Sequence, residues 1–557
     1  MDTSNSDCSD GAACRGKAAK RVFVNGKIYT VNKEQPWAEA VALEGNTIAY
    51  VGTNDGALAL VGEGTEVTDL EGKMMLPGFI DGHIHPLMTA AFASGALLAE
   101  CQTKEDVLAT VKAFVESHPD TEAYFGQGFP DTIFANQPAL ADDLDAICAD
   151  KPILLVASSC HGAWCNHKAF EVAGVTKDTP DITPGSNYFV RDEEGNPTGR
   201  CIESCYIQVA KGANYFPAEA MKANIGGLGQ EFASLGYTAF ADCGVFGFVV
   251  DSLTQEFADY LNSDEFTQRI FGGFYIATNI HDVEEALEGA GEISQNLKDT
   301  DRLALKYFKI LGDGVIESRS AAMAIPYDNG VKALPNFNSE QAQQIGLTVA
   351  KAGYDLYMHA IGDATTTVAL DMAQAVREAG YDDTRIAIAH SQTFQPGEVE
   401  RAGKLGVFIN STGAWHTVSN AEYKEGLGAN IQGYQYPIRS LIDAGCKYGQ
   451  GSDFPVADGK PDPFVSIEVG MRRRPVGFEG PDAEDLCEAP TLEESIESFT
   501  INNAYEVRME DKLGSIEVGK LADLIVVSQN LFEVPTTQIH ETKVLETIRD
   551  GLTTYKA

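Results

Sequence analysis

The chain is short of positive charge. It carries 41 lysines and arginines against 81 aspartates and glutamates, a formal net charge of -40. Such a surface repels nucleic-acid phosphates and anionic lipid headgroups, which argues against either as a partner. An acidic surface also occurs in proteins adapted to salt, and the charge names no reaction. No apolar run is long enough to span a bilayer. Residues 1–20 are small, polar and charged, without the apolar core of a secretory signal, and predict a disordered tail on a cytoplasmic protein. The cysteines also lack the C-x2-C spacing of a zinc ribbon: Cys201 precedes Cys205, and Cys160 precedes Cys165. An odd total of 11 fits reduced thiols.

What is present is ordinary globular material, 44% hydrophobic and 22% charged. A chain of 557 residues exceeds one compact core and predicts two to four domains. Both ends read as short strands. Residues 22–31 and 40–52 alternate around Asn-Gly and Gly-Asn turns, and residues 522–527 and 544–548 have the same character. Neither end makes a good sheet alone. Together, residues 21–77 and 505–557 predict a small β-sandwich that brackets the middle.

Residues 78–504 alternate strands with helical segments. After a first strand ending near residue 85, candidates run over 237–242, 270–276, 303–311, 354–359, 385–390, 406–410 and 446–449. Eight such units predict a (β/α)8, TIM-like barrel with its active site at the C-terminal strand ends. The gap from His85 to Tyr237 is too long for one unit and predicts an inserted subdomain at about residues 100–225.

The first strand carries the chemistry. In Leu76-Pro77-Gly78-Phe79-Ile80-Asp81-Gly82-His83-Ile84-His85-Pro86, two histidines stand two residues apart. In an extended strand they share a face and can share one metal ion. Alone, the pair reads equally well as two surface histidines. Other predicted strand ends supply His359, His390 and, in Gly451-Ser452-Asp453-Phe454-Pro455, Asp453. Lys309 lies in an apolar strand, where an unpaired ammonium is costly. It either serves this site or pairs with Asp313 or Asp453. Lys306 has opposite parity and faces the other way.

These motifs resemble the amidohydrolase superfamily of metal-dependent hydrolases, and within it amidohydrolase family 3, which includes N-substituted formamide deformylases. The resemblance runs from Val22 to Val527. It rests on the 77–85 stretch, on Phe308-Lys309-Ile310-Leu311-Gly312-Asp313-Gly314, on His359-Ala360-Ile361-Gly362-Asp363, on the 451–455 stretch and on residues 513–524. It implies that His83 and His85 bind one divalent metal, zinc above others, and that His359 and His390 bind a second or complete a single site. Lys309 would be carboxylated and bridge two ions. Asp453 would hold the attacking water, move its proton and contact the metal. Zinc lowers the pKa of bound water and polarises a carbonyl, and a carboxylate beside that water can pass its proton to a leaving amine.

The resemblance reaches the insertion. Cys160-His161-Gly162-Ala163-Trp164-Cys165-Asn166 is similar to a family segment whose histidine faces the substrate, so His161 is a candidate catalytic residue; it reads equally as a structural loop histidine. Phe125–Phe129 resembles a pocket-lining stretch, and Trp415 and His416 are further pocket candidates. Arg472, Arg473 and Arg474 fit either an acidic substrate or acidic loops of the protein itself. One departure stands out: relatives often carry an acid before the sixth-strand histidine, where this chain has Ala389.

The expected activity is hydrolysis of a non-peptide C–N bond, amide or formamide, in a small molecule, and the resemblance implies a homodimer. The alternatives are a mononuclear-zinc deaminase of the same superfamily and a catalytically silent metal-binding regulator.

Overall fold

The computed structural model describes residues 19–134, 138–160, 162–182, 187–245, 254–276, 282–297, 299–316, 319–417, 435–456 and 461–557. Its centre is one eight-stranded, all-parallel sheet in sequential order. The strands are β1 (Phe79–Ile84), β2 (Tyr237–Val245), β3 (Arg269–Ile276), β4 (Leu303–Leu311), β5 (Asp355–Ala360), β6 (Ile386–His390), β7 (Phe408–Ser411) and β8 (Lys447–Gln450). These match the eight strands expected from sequence to within a few residues, and the barrel fold is as predicted.

The segment after β8 closes the barrel onto β1. The Ser452 amide donates to Asp81 Oδ1 (2.9 Å), the Asp453 amide to the His83 carbonyl (2.6 Å), and the His85 amide to the Phe454 carbonyl (3.0 Å). Gly451 permits this approach, because a Cβ there would stand 2.2 Å from the His83 nitrogen. Helices cover the outside. Ser339–Lys351 starts with a capping box between Asn338 and Gln341, and Asp363–Glu378 follows β5. Both present buried residues on one face at helical spacing.

Inside the barrel, small and large side chains interdigitate: Ala239, Ala241, Ala304 and Ala387 against Phe271, Tyr307, Tyr357 and Phe408. Ala504, Val507, Met509 and Leu513, around the helix Ile501–Glu506, join the same cluster.

Between β1 and β2 the chain forms a separate six-stranded sheet. Its strands run from Ala96–Leu97 through Tyr124–Phe129, Ile153–Ala157 and Gly162–Cys165 to Pro197–Ile202 and Tyr188–Arg191. Two further sheets share a core of Phe23, Val41, Met75, Leu524, Val526 and Ile548. One is built from Arg21–Val24, Ala40–Glu44, Thr47–Gly52 and Glu66–Asp69. The other interleaves Lys27–Tyr29, Trp37–Ala38 and Met74–Pro77 with Leu524–Val527, Val544–Arg549 and Leu552–Lys556. Buried Arg269 of β3 ties the barrel to this unit, with Nε and Nη2 on Asp523 (2.9 and 2.8 Å) and Nη2 on Asp550 (2.6 Å).

No disulfide joins the described cysteines. Among the described residues no helix is long and apolar enough to cross a membrane.

Candidate metal centre

The C-terminal strand ends bring six of the sequence candidates together. Strand alternation points His83 inward at the end of β1, and His85 follows as the residue before helix Pro86–Phe92. Register aligns the other strands: Leu311 of β4 lies beside His359 of β5, and Ala360 beside His390 of β6. Asp453 enters from the closing segment. Its Oδ1 lies 3.4 Å from His83 Nε2 and 3.3 Å from His85 Nε2, and Oδ2 lies 4.0 Å from His390 Nδ1. His390 Nε2 stands 3.0 Å from His359 Nδ1. Lys309 Nζ stands 3.0 Å from His83 Nε2. All but His359, which keeps a little exposure, are buried. His161 lies outside the described residues.

The donors fit a transition metal. Donor atoms of His83, His85 and Asp453 all lie within 4.8 Å of one another. Two nitrogens on one zinc, at about 2.0–2.1 Å each, stand roughly 3.0–3.4 Å apart, the spacing of the His359 and His390 pair. The Nδ1 atoms of His85 and His390 are buried with no hydrogen-bond partner, a costly state for a polar atom. Imidazole nitrogen with carboxylate oxygen suits zinc and its neighbours.

Burial sets the electrostatics. It holds the His83 and His390 imidazoles well below their ordinary pKa, so both are neutral and able to ligate. It also lowers the Lys309 ammonium. Beneath the ligands, burial pushes the carboxyl of Asp81 up to about 7, that of Asp242 to about 6 and that of Asp313 to about 7. Asp313 does not pair with Lys309. Its oxygens accept from the amides of Ala322, Ile361 and Gly362, at 3.0, 3.1 and 2.8 Å, and Oδ1 lies 3.4 Å from His359 Nε2. Backbone strain gathers here: Asp453, His390 and Ser391 take φ of 54°, 66° and 47°, a left-handed region unfavourable to non-glycine residues.

The segment from residue 66 to residue 555 matches the model of the amidohydrolase family. The chain belongs to that family. Relatives are similar to it over most of their length. The exoenzymes regulatory protein AepA of Pectobacterium carotovorum subsp. carotovorum is 32% identical over 429 residues, covering 75% of this chain and 90% of the relative. The N-substituted formamide deformylase of Arthrobacter pascens is 26% identical, covering 96% of this chain and 98% of the relative. Among solved structures, an uncharacterized metal-dependent hydrolase from Pyrococcus horikoshii OT3 superposes with a TM-score of 0.71 at 21% identity, covering 93% of this chain and 99% of that one.

Within this amidohydrolase fold the remaining candidates separate. Trp415 stacks on His390 (5.8 Å between centroids, 11° between planes) and so borders the centre. His416 turns away, fully buried, to Ser411 Oγ at 2.8 Å. Arg473 is buried against Asp485 and the Gln435 and Tyr436 carbonyls. Arg472 binds Glu468 and the Phe478 carbonyl, and Arg474 the Pro481 and Asp482 carbonyls. The arginine run therefore holds acidic side chains and loop carbonyls of the protein itself. Phe125–Phe129 lies within strand Tyr124–Phe129 of the inserted sheet. Lys306 is half-buried on β4, whereas Lys309 is buried at the site. A second cluster, Asp142, Asp145 and His167, sits on the insertion with Asp142 and the His167 ring exposed.

Residues that sequence reasoning gave no role also meet here. Asp81 receives the closing segment, and Tyr357 touches His83. Asp81 lay inside the first-strand motif, and Tyr357 two residues before His359; alternation alone places Tyr357 on the same face one layer deeper.

Proposed function

We propose that this amidohydrolase cleaves a non-peptide C–N bond, of an amide or formamide, in a small molecule. What supports the reading is the convergence of His83, His85, Lys309, His359, His390 and Asp453 at one barrel mouth, together with similarity across nearly the whole chain to a protein named as a formamide deformylase. His83, His85, His359 and His390 would hold one or two divalent ions, zinc above others; Lys309, if carboxylated, would bridge two. When bound, such an ion lowers the pKa of water and polarises the scissile carbonyl. Asp453 takes the proton of the attacking water on its carboxylate and returns it to the leaving nitrogen, so that water and amide become carboxylic acid and amine. His161, in the insertion, would orient the carbonyl.

A second reading, a catalytically silent metal-binding regulator, draws on the relative named as an exoenzymes regulatory protein. The experiment that decides is zinc reconstitution of the purified chain followed by a panel of N-substituted formamides, amides, esters, lactones and ring amines. Amine release from amides or formamides is expected. Ammonia released from ring amines alone would move the assignment to a deaminase. A metal-loaded protein inert across the panel would favour the regulator.

A further inference from the structure

We propose that Tyr357 is a positioning residue for the metal centre: its hydroxyl fixes His83 with Nε2 turned to the metal, and its ring face supports Lys309. The inference rests on the metal-hydrolase reading above. Tyr357 lies on β5 two residues before His359, on the same face and one layer deeper. It touches two of the proposed ligands. Its hydroxyl lies 3.0 Å from His83 Nδ1 and also meets the Cys243 thiol, a weak donor and acceptor, and Lys309 Nζ sits 4.9 Å from its ring centroid. The ring meets the His83 imidazole edge-on, at 5.4 Å and 84°.

The hydrogen bonds have one consistent direction. A neutral imidazole carries a single N–H. A metal on Nε2 needs the lone pair there, which leaves the proton on Nδ1. His83 Nδ1–H then donates to the Tyr357 oxygen, and the one phenol proton goes to the Gly82 carbonyl at 3.3 Å. Without a metal, Lys309 Nζ at 3.0 Å donates to that lone pair and selects the same tautomer; a bound ion would replace this hydrogen bond. The chain thus ends on backbone of β1, the strand that carries His83 itself. Tyr357 has little freedom to do otherwise. It is buried and stacked on Tyr307 (5.3 Å, 29°), whose own hydroxyl is committed to the Asp242 carbonyl at 2.8 Å. A partner on the far nitrogen of a ligating histidine sets ring orientation and basicity.

The test compares wild type with Tyr357→Phe, Tyr357→Leu and His83→Ala. Zinc affinity is measured by chelator competition, and the visible absorption of the cobalt-substituted protein reports ligand geometry. Tyr357→Phe keeps the ring and loses only the hydroxyl. It should fold, melt below wild type when metal-free because the His83 Nδ1–H loses its acceptor, lose more stability again in the presence of zinc, bind zinc about 10–100-fold more weakly and shift the cobalt bands. Tyr357→Leu, which also removes the support for Lys309, should bind more weakly still; if it does not fold, Tyr357→Phe decides alone. Wild-type affinity and wild-type cobalt bands in Tyr357→Phe, with metal lost from His83→Ala, would overturn the role of Tyr357 and leave the metal reading standing. Equal metal content in wild type and His83→Ala would remove His83 from the ligands, and both ideas with it. Destabilisation of Tyr357→Phe by the same amount with and without zinc would also overturn the proposal, since it marks a purely structural residue.

Discussion

Asp453 meets His83 at two points. Its amide donates to the His83 carbonyl at 2.6 Å, and its carboxylate faces the imidazole of the same residue at 3.4 Å. Barrel closure and the candidate metal centre therefore share a pair of residues, and a change to one should be felt in the other.

Gly451 tests that coupling. A Cβ at this position would meet His83 backbone and Cβ at 2.2–2.6 Å, where no flexible side chain can yield. Gly451→Ala should cost about 1–3 kcal/mol by overpacking and should also lower metal content. Denaturant unfolding and elemental analysis check the two effects. Metal content unchanged in a destabilised variant would show that closure and ligation are separable.

Asp453→Asn separates ligation from proton transfer. The amide preserves shape but no longer takes a proton. With the imidazoles untouched, metal should remain bound, while turnover on a substrate found by the panel should fall about 10²–10⁴-fold, the usual worth of general acid–base catalysis. Retained turnover would rule out the proton-shuttle role.

Much of this arrangement could be read before the fold was known, and the reason is local. Strand alternation and turn residues are short-range signals, so all eight barrel strands were legible. His83, His85, His359 and His390 stood at or beside strand ends, and the turn after the last strand held Asp453. What escaped depends on long-range partners. Asp313 looked like a mate for Lys309 four residues away, but its oxygens are taken by amides at 322, 361 and 362. Trp415 and His416 were indistinguishable as neighbours until the turn Gly413–Trp415 sent one to His390 and the other to Ser411. For the arginine run the sequence left an acidic substrate and acidic loops of the protein itself both open; the fold brings Glu468, Asp485 and loop carbonyls to it.

The link between barrel and terminal sheets predicts a stability effect with no effect on chemistry at the site. Arg269 is fully buried, and the Asp523 carboxylate depends on it, whereas Asp550 is also held by Arg302 at 2.9 Å. Arg269→Ala should cost about 3–5 kcal/mol, because it strands buried charge. Urea unfolding should show a lower midpoint, while the metal content of the folded protein stays at the wild-type value.

Glu506 gives the protein a pH dependence of definite sign. It is buried under the site, with Asn410 Nδ2 at 3.3 and 3.4 Å from its two oxygens. Burial raises its folded pKa well above the usual glutamate value of 4.5. Between the unfolded and folded values the native state holds a proton that the unfolded chain has lost. Stability must then fall as pH rises through that window. Glu506→Gln cannot ionise, so it removes this slope while an amide oxygen remains to accept from Asn410. Melting temperatures of metal-free protein should nearly coincide for variant and wild type at pH 5. The variant should gain a growing advantage toward pH 8. Parallel curves across that range would mean that Glu506 is ionised in the fold despite its burial.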